Sequence, residues 1–295
     1  MHRRCTTRDL TPAGLSQRPR SGPLRALFGR IGYIPTDVCL RRRAASDVNE
    51  SDIEEYGVLA RKSGIRTAAF FLLGALFAMC VGVPARAQTR DDQGLWFMLM
   101  ADGRLGRETS RFRWWLDVQP RFLDDVDGLQ QGLFRPGVGY ALGERTTAWL
   151  GYARVRTDIG GGDHSNEDRI WQQLLWKPRL GEVALQSRTR LEQRFLDTAS
   201  DTGWRFRQFV KAGWQLPSSD RFSLEAYEEA FFNLNDTRWG QDTGFAQNRL
   251  FAGVGMKLGD QNRTKVEVGY LNQFIERGSV DSLNHILSIN LFLKF

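Results

Sequence analysis

The chain has 295 residues, a formal charge of +7 and three cysteines, Cys5, Cys39 and Cys80. Charge and cysteines both belong to the first 87 residues, which hold 14 Lys and Arg against 7 Asp and Glu, while the other 208 residues carry 27 of each sign. The basic balance therefore gives no ground for nucleic-acid binding, and the lack of cysteine beyond Cys80 excludes disulfides and thiolate metal sites in the later part.

Residues 1–60 are rich in Arg, Pro and Ser and carry no periodic apolar pattern. They read as a disordered extension, or as a start assigned too far upstream, with the true start near Val58 or Leu59. From residue 61 the pattern changes. "RKSGIR" is basic, Thr67 to Val83 is an uncharged run of 17 residues, and "PARAQ" offers Ala85 and Ala87. A basic start, an apolar middle and small residues at the end describe a secretory signal peptide over 61–87. Cleavage is expected after Ala87, leaving Gln88 first. As a spanning helix the run sits at the short limit. Met79 stands where a lipoprotein signal needs a small residue before Cys80, so lipidation is not expected.

From Gln93 the apolar pattern has a period of two, the signature of strands. "FRWWLDVQPRF" sets Phe112, Trp114, Leu116, Val118 and Phe122 against Arg113, Asp117, Gln119 and Arg121. "LFRPGVGYAL" sets Phe134, Val138, Tyr140 and Leu142 against Arg135 and glycines. "VALQSRTRLEQRF" opposes Val183, Leu185, Leu191 and Phe195 to Arg188, Arg190, Glu192 and Arg194. "WRFRQFVKAGWQL" opposes Trp204, Phe206, Val210 and Trp214 to Arg205, Arg207 and Lys211. Further strands are expected near 94–102, 145–156, 168–178, 221–234, 245–258, 262–275 and 283–295. Short links such as "LGER" and "PSSD" alternate with longer ones such as "DDVDG", "TDIGGGDHSNED" and "NDTRWGQDTG".

Alternation suits a soluble barrel with its apolar face inward, or an outer-membrane barrel with that face in lipid. Four features favour the membrane. A secretory signal precedes a cysteine-free chain. The segments run about 10–14 residues, beyond the usual strand and enough to cross at a tilt. Aromatics sit near strand ends, at Trp96, Trp114, Tyr140, Trp149, Trp176, Trp204, Trp214, Phe222 and Phe232, where interfacial girdles form. The last strand alternates with Leu291, Leu293 and Phe295 on one face and Lys294 on the other, which resembles the signal read by the outer-membrane insertion machinery. An open edge in lipid would leave backbone groups unpaired at several kcal/mol each, so the last strand must pair with the first. The expected fold is all-β, an up-and-down antiparallel transmembrane β-barrel of 10–12 strands. Eleven segments are counted, and because bacterial single-chain barrels have even numbers, 12 is favoured.

The chain resembles a family of uncharacterised bacterial outer-membrane proteins, domain of unknown function 2490. "GLWFMLMADGRL", "FRWWLDVQPRFLDD", "FRPGVGYAL", "AWLGYARVR", "RTRLEQRF", "RFRQFVKAGW", "EEAFFNLN", "NRLFAGVGMKL" and "VEVGYLNQF" carry the resemblance in order over 93–295. It implies an outer-membrane barrel over 88–295 in contact with lipid and, since the family's role is not established, no activity.

The inward face is expected to hold Arg113, Arg121, Arg135, Arg154, Arg156, Arg188, Arg190, Arg194, Arg205, Arg207, Lys211, Arg249 and Lys265, with Asp117, Glu192, Glu225, Glu229 and Glu267. A basic water-filled tube concentrates anions, and guanidinium forks take carboxylate or phosphate at two points. That predicts a passive channel for anionic solutes such as acidic oligosaccharides. The alternative is a non-conducting structural barrel, plugged by an internal salt-bridge network because ten to twelve strands leave little bore. A lipid-modifying enzyme is the other class. After cleavage only His164 and His285 remain; the first lies in a glycine-rich loop and the second falls opposite in phase to Ser288. No catalytic residue, cofactor or metal is therefore expected, although "DHSNED" offers oxygens of the kind calcium takes. Glu228 falls on the lipid side, unless a bulge near "YEEAFF" turns it inward.

Overall fold

The computed structural model describes residues 89–295 apart from 124–127, 161–162, 260–262 and 279. The expected extension, signal peptide and cleavage point lie outside the described residues. Twelve strands form: β1 (Thr89–Arg104), β2 (Phe112–Leu123), β3 (Leu129–Ala141), β4 (Thr146–Gly160), β5 (Asp163–Trp176), β6 (Arg179–Leu180), β7 (Val183–Leu196), β8 (Thr202–Gln215), β9 (Phe222–Asn233), β10 (Gly244–Leu258), β11 (Thr264–Ile275) and β12 (Asp281–Lys294). No helix occurs among the described residues.

The strands make one sheet in the order β5-β4-β3-β2-β1-β12-β11-β10-β9-β8-β7-β6, and a β5–β7 pairing closes it. The closed all-β barrel read from the sequence is the fold. β6 has two residues and pairs only with the start of β7, so eleven long staves form the wall. An odd number of up-and-down staves brings the first and last together running the same way. β1 and β12 indeed pair in parallel, from Thr89↔Asp281 to Asp102↔Lys294. The expectation of an even number of staves is corrected by this seam; the even count of twelve is reached only with β6.

The seam works because the two strands share an in–out phase. Trp96, Met98 and Met100 on β1 lie beside Ser288, Asn290 and Phe292 on β12. Trp96 and Ser288 are buried, while Phe97, Leu99 and Leu287 are exposed. A slip of one residue would carry Trp96 outward and Leu99 inward. Beyond the last pair, Phe295 N–H donates to Asp102 O at 3.0 Å, and the Phe295 ring lies 5.5 Å from Trp114.

Strand lengths exceed expectation most at β1, which runs from Thr89 to Arg104, and at the turn between β4 and β5. The glycine-rich link "TDIGGGDHSNED" is mostly hairpin, with β4 running to Gly160 and β5 starting at Asp163. A bulge between Asp158 and Gly160 increases the local twist there. A 14-residue strand at about 3.3 Å per residue, tilted by about 40°, spans roughly 35 Å along the barrel axis.

The outward face is greasy. Phe134, Val138, Leu150, Ile170, Leu174 and Leu224 are among its exposed side chains. Its polar groups come in cross-strand pairs: Thr189 with Gln208 at 2.7 Å, Gln172 with Gln193 at 3.0 Å, and Asn248 donating to Glu228 at 2.9 Å. No bulge turns Glu228 inward; β9 holds unbroken register with β8 through this stretch. Of the expected girdle residues, Tyr140, Trp176, Trp204, Phe222 and Phe232 are outward and exposed, whereas Trp96 and Trp149 face inward and are buried. That correction has a packing cause. Trp149 fills space beside Trp115, ring centroids 5.3 Å apart, and Trp96 carries two guanidiniums on its face, Arg121 at 4.1 Å and Arg249 at 4.9 Å.

Leu99 and Leu291 stand directly opposite one another across the seam, and residues 88–295 contain no cysteine of their own. Leu99→Cys with Leu291→Cys should cross-link on oxidation, since facing Cα atoms fall within disulfide reach. Leu99→Cys with Leu287→Cys should not. Gel mobility of the oxidised pairs checks the parallel register.

Candidate functional site

The bore is built where alternation points charges inward on β7, β8, β9, β10 and β11 and aromatic rings inward on β2, β4 and β5. Its centre is Glu192, fully buried. Three guanidiniums surround it: Arg207 at 2.6 Å, Arg190 at 3.4 Å and Arg169 at 3.7 Å. Arg207 also reaches Glu229 at 2.7 Å, which in turn takes Arg188 at 2.8 Å and Arg249 at 3.9 Å. Arg169 also reaches Glu167 at 2.8 Å, and Glu167 takes Arg194 at 2.5 Å. These contacts make one continuous chain of alternating charge from β5 to β10. Asp117–Arg135 at 2.6 Å stands beside it. Toward β11, Lys211 and Lys265 share Glu225 and Glu267.

Amides and ring faces hold the arginines where carboxylates do not suffice. Arg190 donates to Gln173 at 2.6 and 2.9 Å and lies 4.6 Å from the Trp171 ring. Arg121 donates to Gln131 at 2.7 Å and Gln119 at 2.5 Å. Arg205 donates to Asn233 at 2.9 Å. A guanidinium suits this role because its planar fork makes several bonds at fixed angles and stacks on aromatics.

The structure brings Arg121, Arg135, Arg188, Arg190, Glu192, Arg194, Arg205, Arg207, Lys211, Glu225, Glu229, Arg249 and Glu267 together inside the barrel, along with Asp117 and Lys265. Arg113 turns onto the preceding turn instead, donating to Ser110 O at 2.9 Å. Arg154 and Arg156 are corrected outright: both are exposed on the outer side of β4, where Arg154 pairs with Asp168 at 2.8 Å. The phase of β4 is fixed by glycine. A Cβ on Gly151 would meet the Trp171 ring at 2.2 Å, and one on Gly137 of β3 would meet it at 2.6 Å. Trp171 lies flat on those two inward positions, so Trp149, Ala153 and Val155 share their side and the arginines fall outside.

The sequence reading missed Glu167, Arg169 and Gln173 of β5. "EDR" places three charges in a row, which erases alternation locally. The inward phase was recoverable from the Trp171, Gln173 and Leu175 series further along the strand.

The two ends of the bore differ. At one end the link 234–243 folds over the mouth. Gln241 is buried and accepts from Arg194 at 2.9 Å, and the Trp239 ring lies 4.8 Å from the same guanidinium. Trp239 also packs on the inward side of β8, where a Cβ on Gly203 would meet its ring at 2.6 Å. At the other end, marked by Phe295, a cavity of about 500 Å³ opens; the links there are on the whole no shorter than those at the capped end, because the expected long link between β4 and β5 is mostly strand. Its lining includes Met98, Met100, Phe209 and Phe292, and its rim carries Lys177, Arg179, Lys257, Arg263 and Lys294.

Among the described residues no group of three or more His, Cys, Asp or Glu is arranged to hold a metal ion. His285 bonds the Tyr270 hydroxyl at 2.6 Å on the face opposite Ser288, and His164 is exposed.

The family described as protein of unknown function (DUF2490) matches residues 93–284. An uncharacterised protein of Methylorubrum extorquens is 36% identical over 230 residues, covering 76% of this chain and 97% of that protein. No solved structure matches.

Removing Glu192 leaves Arg207, Arg190 and Arg169 facing one another out of water. Glu192→Ala should lower stability by about 3–5 kcal/mol, read from urea unfolding followed by tryptophan fluorescence. Asp168→Ala breaks only exposed contacts, the pair with Arg154 and the hydrogen bond from the Tyr152 hydroxyl, and should cost about 1 kcal/mol at most.

Proposed function

The chain belongs to the DUF2490 family, whose function is unknown, and from the geometry of its bore we propose that it is an outer-membrane barrel closed to through-flow. The membrane reading is supported by the inversion of the two faces. Aliphatic and aromatic side chains cover most of the outside of eleven long staves, and most charged side chains turn in, with Arg154, Arg156, Asp168 and Glu228 as outward exceptions. An arginine or lysine at the bilayer midplane costs about 2–4 kcal/mol, so a row such as Arg188, Arg190 and Arg194 is tolerable only on the inner side. In water the same outer surface would be an apolar patch far larger than soluble monomers carry. In this placement the outward Glu228 and Gln208 meet lipid as bonded pairs, which lowers the penalty of an unpaired polar group.

Closure is carried by one observation: Glu192 is sealed from solvent by three guanidiniums, of which Arg207 and Arg169 are tied to further carboxylates and Arg190 to Gln173 and the Trp171 ring. A passive anion channel needs arginines facing open water. Here each arginine of the central row is engaged by a carboxylate, an amide or a ring, so the non-conducting structural reading fits better. Insertion would proceed through β12, with Leu291, Leu293 and Phe295 toward the machinery and lipid. The Phe295 end and the 500 Å³ cavity would then face the periplasm, and the capped mouth the exterior.

Planar-bilayer recording tests the closure. The refolded protein should give no steady current. Arg190→Ser with Arg194→Ser and Arg207→Ser should open one, because the chain of charge then has no bridges across the bore. Ohmic, anion-selective current from the unaltered protein would restore the channel.

A further inference from the structure

The cavity at the Phe295 end combines two linings that the closed bore does not require together. Around its mouth cations outnumber the acidic groups: Lys177, Arg179, Lys257, Arg263 and Lys294 stand against Asp102 and Glu182. Lys211 and Lys265, deeper in, share Glu225 and Glu267. Lys257 is bonded only to neutral oxygens, Gln215 at 2.7 Å and Asp220 O at 3.2 Å. Lys177 and Lys294 line the cavity, and neither has a carboxylate within ion-pair distance among the described residues. Burial pushes the Lys177 ammonium below the usual lysine range; Asp102 pulls it back up, while Lys294 and Lys211 push it further down. Inside this ring the wall is apolar, from Met98 and Met100 of the seam strand to Phe209 and Phe292. Phe292 faces inward on β12, with the Lys211 ammonium 5.2 Å from its ring.

We propose that this cavity binds a small amphiphile with a phosphate head and a short apolar body. The phosphate sits among Lys177, Lys257 and Lys294, whose charges it neutralises in a partly desolvated mouth. The apolar body lies against Met98, Met100, Phe209 and Phe292. A methionine-rich wall adapts its shape to such a body, and the volume lies in the range of small-molecule pockets. The floor limits the tail. Below the apolar wall stand Arg135 with Asp117 and Arg207 with Glu229, so a long acyl chain would have to bury itself among ion pairs. A single ring or a few methylenes fits without that cost. The proposal rests on the closed-bore reading, since a floor is what turns a passage into a cup.

Calorimetric titration of the protein in uncharged detergent tests it, with phenyl phosphate, inorganic phosphate and benzyl alcohol as probes. Phenyl phosphate should bind saturably, at least tenfold tighter than either other probe. Lys177→Gln with Lys294→Gln should weaken it at least tenfold, and Lys177→Arg with Lys294→Arg should restore it. Arg154→Gln, outside the barrel, should change nothing. Circular dichroism establishes that each variant keeps its strands. No saturable binding of phenyl phosphate, equal binding of inorganic phosphate, or binding indifferent to the double glutamine change would each overturn the site. The same preparations recorded in bilayers separate the two readings. A silent barrel that does not bind loses the site alone. A conducting barrel loses the floor on which the proposal stands.

Discussion

A carboxylate sealed inside a protein wall persists only where cations meet it from more than one side, and Glu192 sets that condition for this barrel. Desolvating it alone would cost several kcal/mol. The three guanidiniums around it have been desolvated too, and each needs its own compensation. Arg207 finds it in Glu229, Arg169 in Glu167, and Arg190 in Gln173 and the Trp171 face. The need for compensation therefore spreads from one side chain to strands β5, β7, β8, β9 and β10. Staves distant in sequence are linked through their interiors as well as through backbone ladders. This is why the charged bore and the closed wall are one fact: the charges can be inside only if the sheet closes around them, and in the central section of the bore the charges fill the space the sheet encloses.

The filling is shared unequally around the wall. From β2 to β5 much of the inner surface is aromatic and small, with Trp115, Trp149 and Trp171 beside Gly137 and Gly151, and its charges are fewer: Asp117, Arg121, Arg135, Glu167 and Arg169. From β7 to β11 it is charged. The halves need each other, because arginines in excess of carboxylates must rest on something. Ring faces take Arg190 and, from Trp96 on β1, Arg121 and Arg249. A cation–aromatic contact in a site without water contributes about 2 kcal/mol, comparable to a charge-assisted hydrogen bond. Tryptophan inside and arginine inside are thus complementary choices.

Much of this was legible in the sequence wherever one phase was charged and the other greasy. "SRTRLEQR" and "RFRQFVK" fixed the inner rows of β7 and β8, and the expected ring of inward arginines there is the one that forms. The reading failed on β4, where an arginine pair sits at the outer end of a strand and the inward phase is carried by Trp149, Gly151 and Ala153. Charge was taken as the marker of the inside, when the deciding constraint was the room that Gly137 and Gly151 leave for a ring from β5. It failed at "EDR" because three consecutive charges have no phase. The parallel seam was out of reach for a different reason: periodicity tells which way a side chain points but not which distant strand lies beside it.

The division of the bore into a capped end and an open cup follows from how the charges are graded along the staves. Near the capped mouth the cations are arginines, and they are matched by Glu167, Gln241 and the Trp239 face. Near the open end lysines join Arg179 and Arg263 of the rim, and of the lysines only the deeper two are in ion pairs. An ammonium is a compact, strongly hydrated charge that is costly to bury without a partner, whereas a guanidinium tolerates burial when stacked and bonded. The sealed network is accordingly built mainly on arginine, and the lysines stand where water or another anion can still arrive. The unmatched lysines do not add to the closure. They mark the boundary at which the network stops holding itself together and the interior becomes available to something from outside.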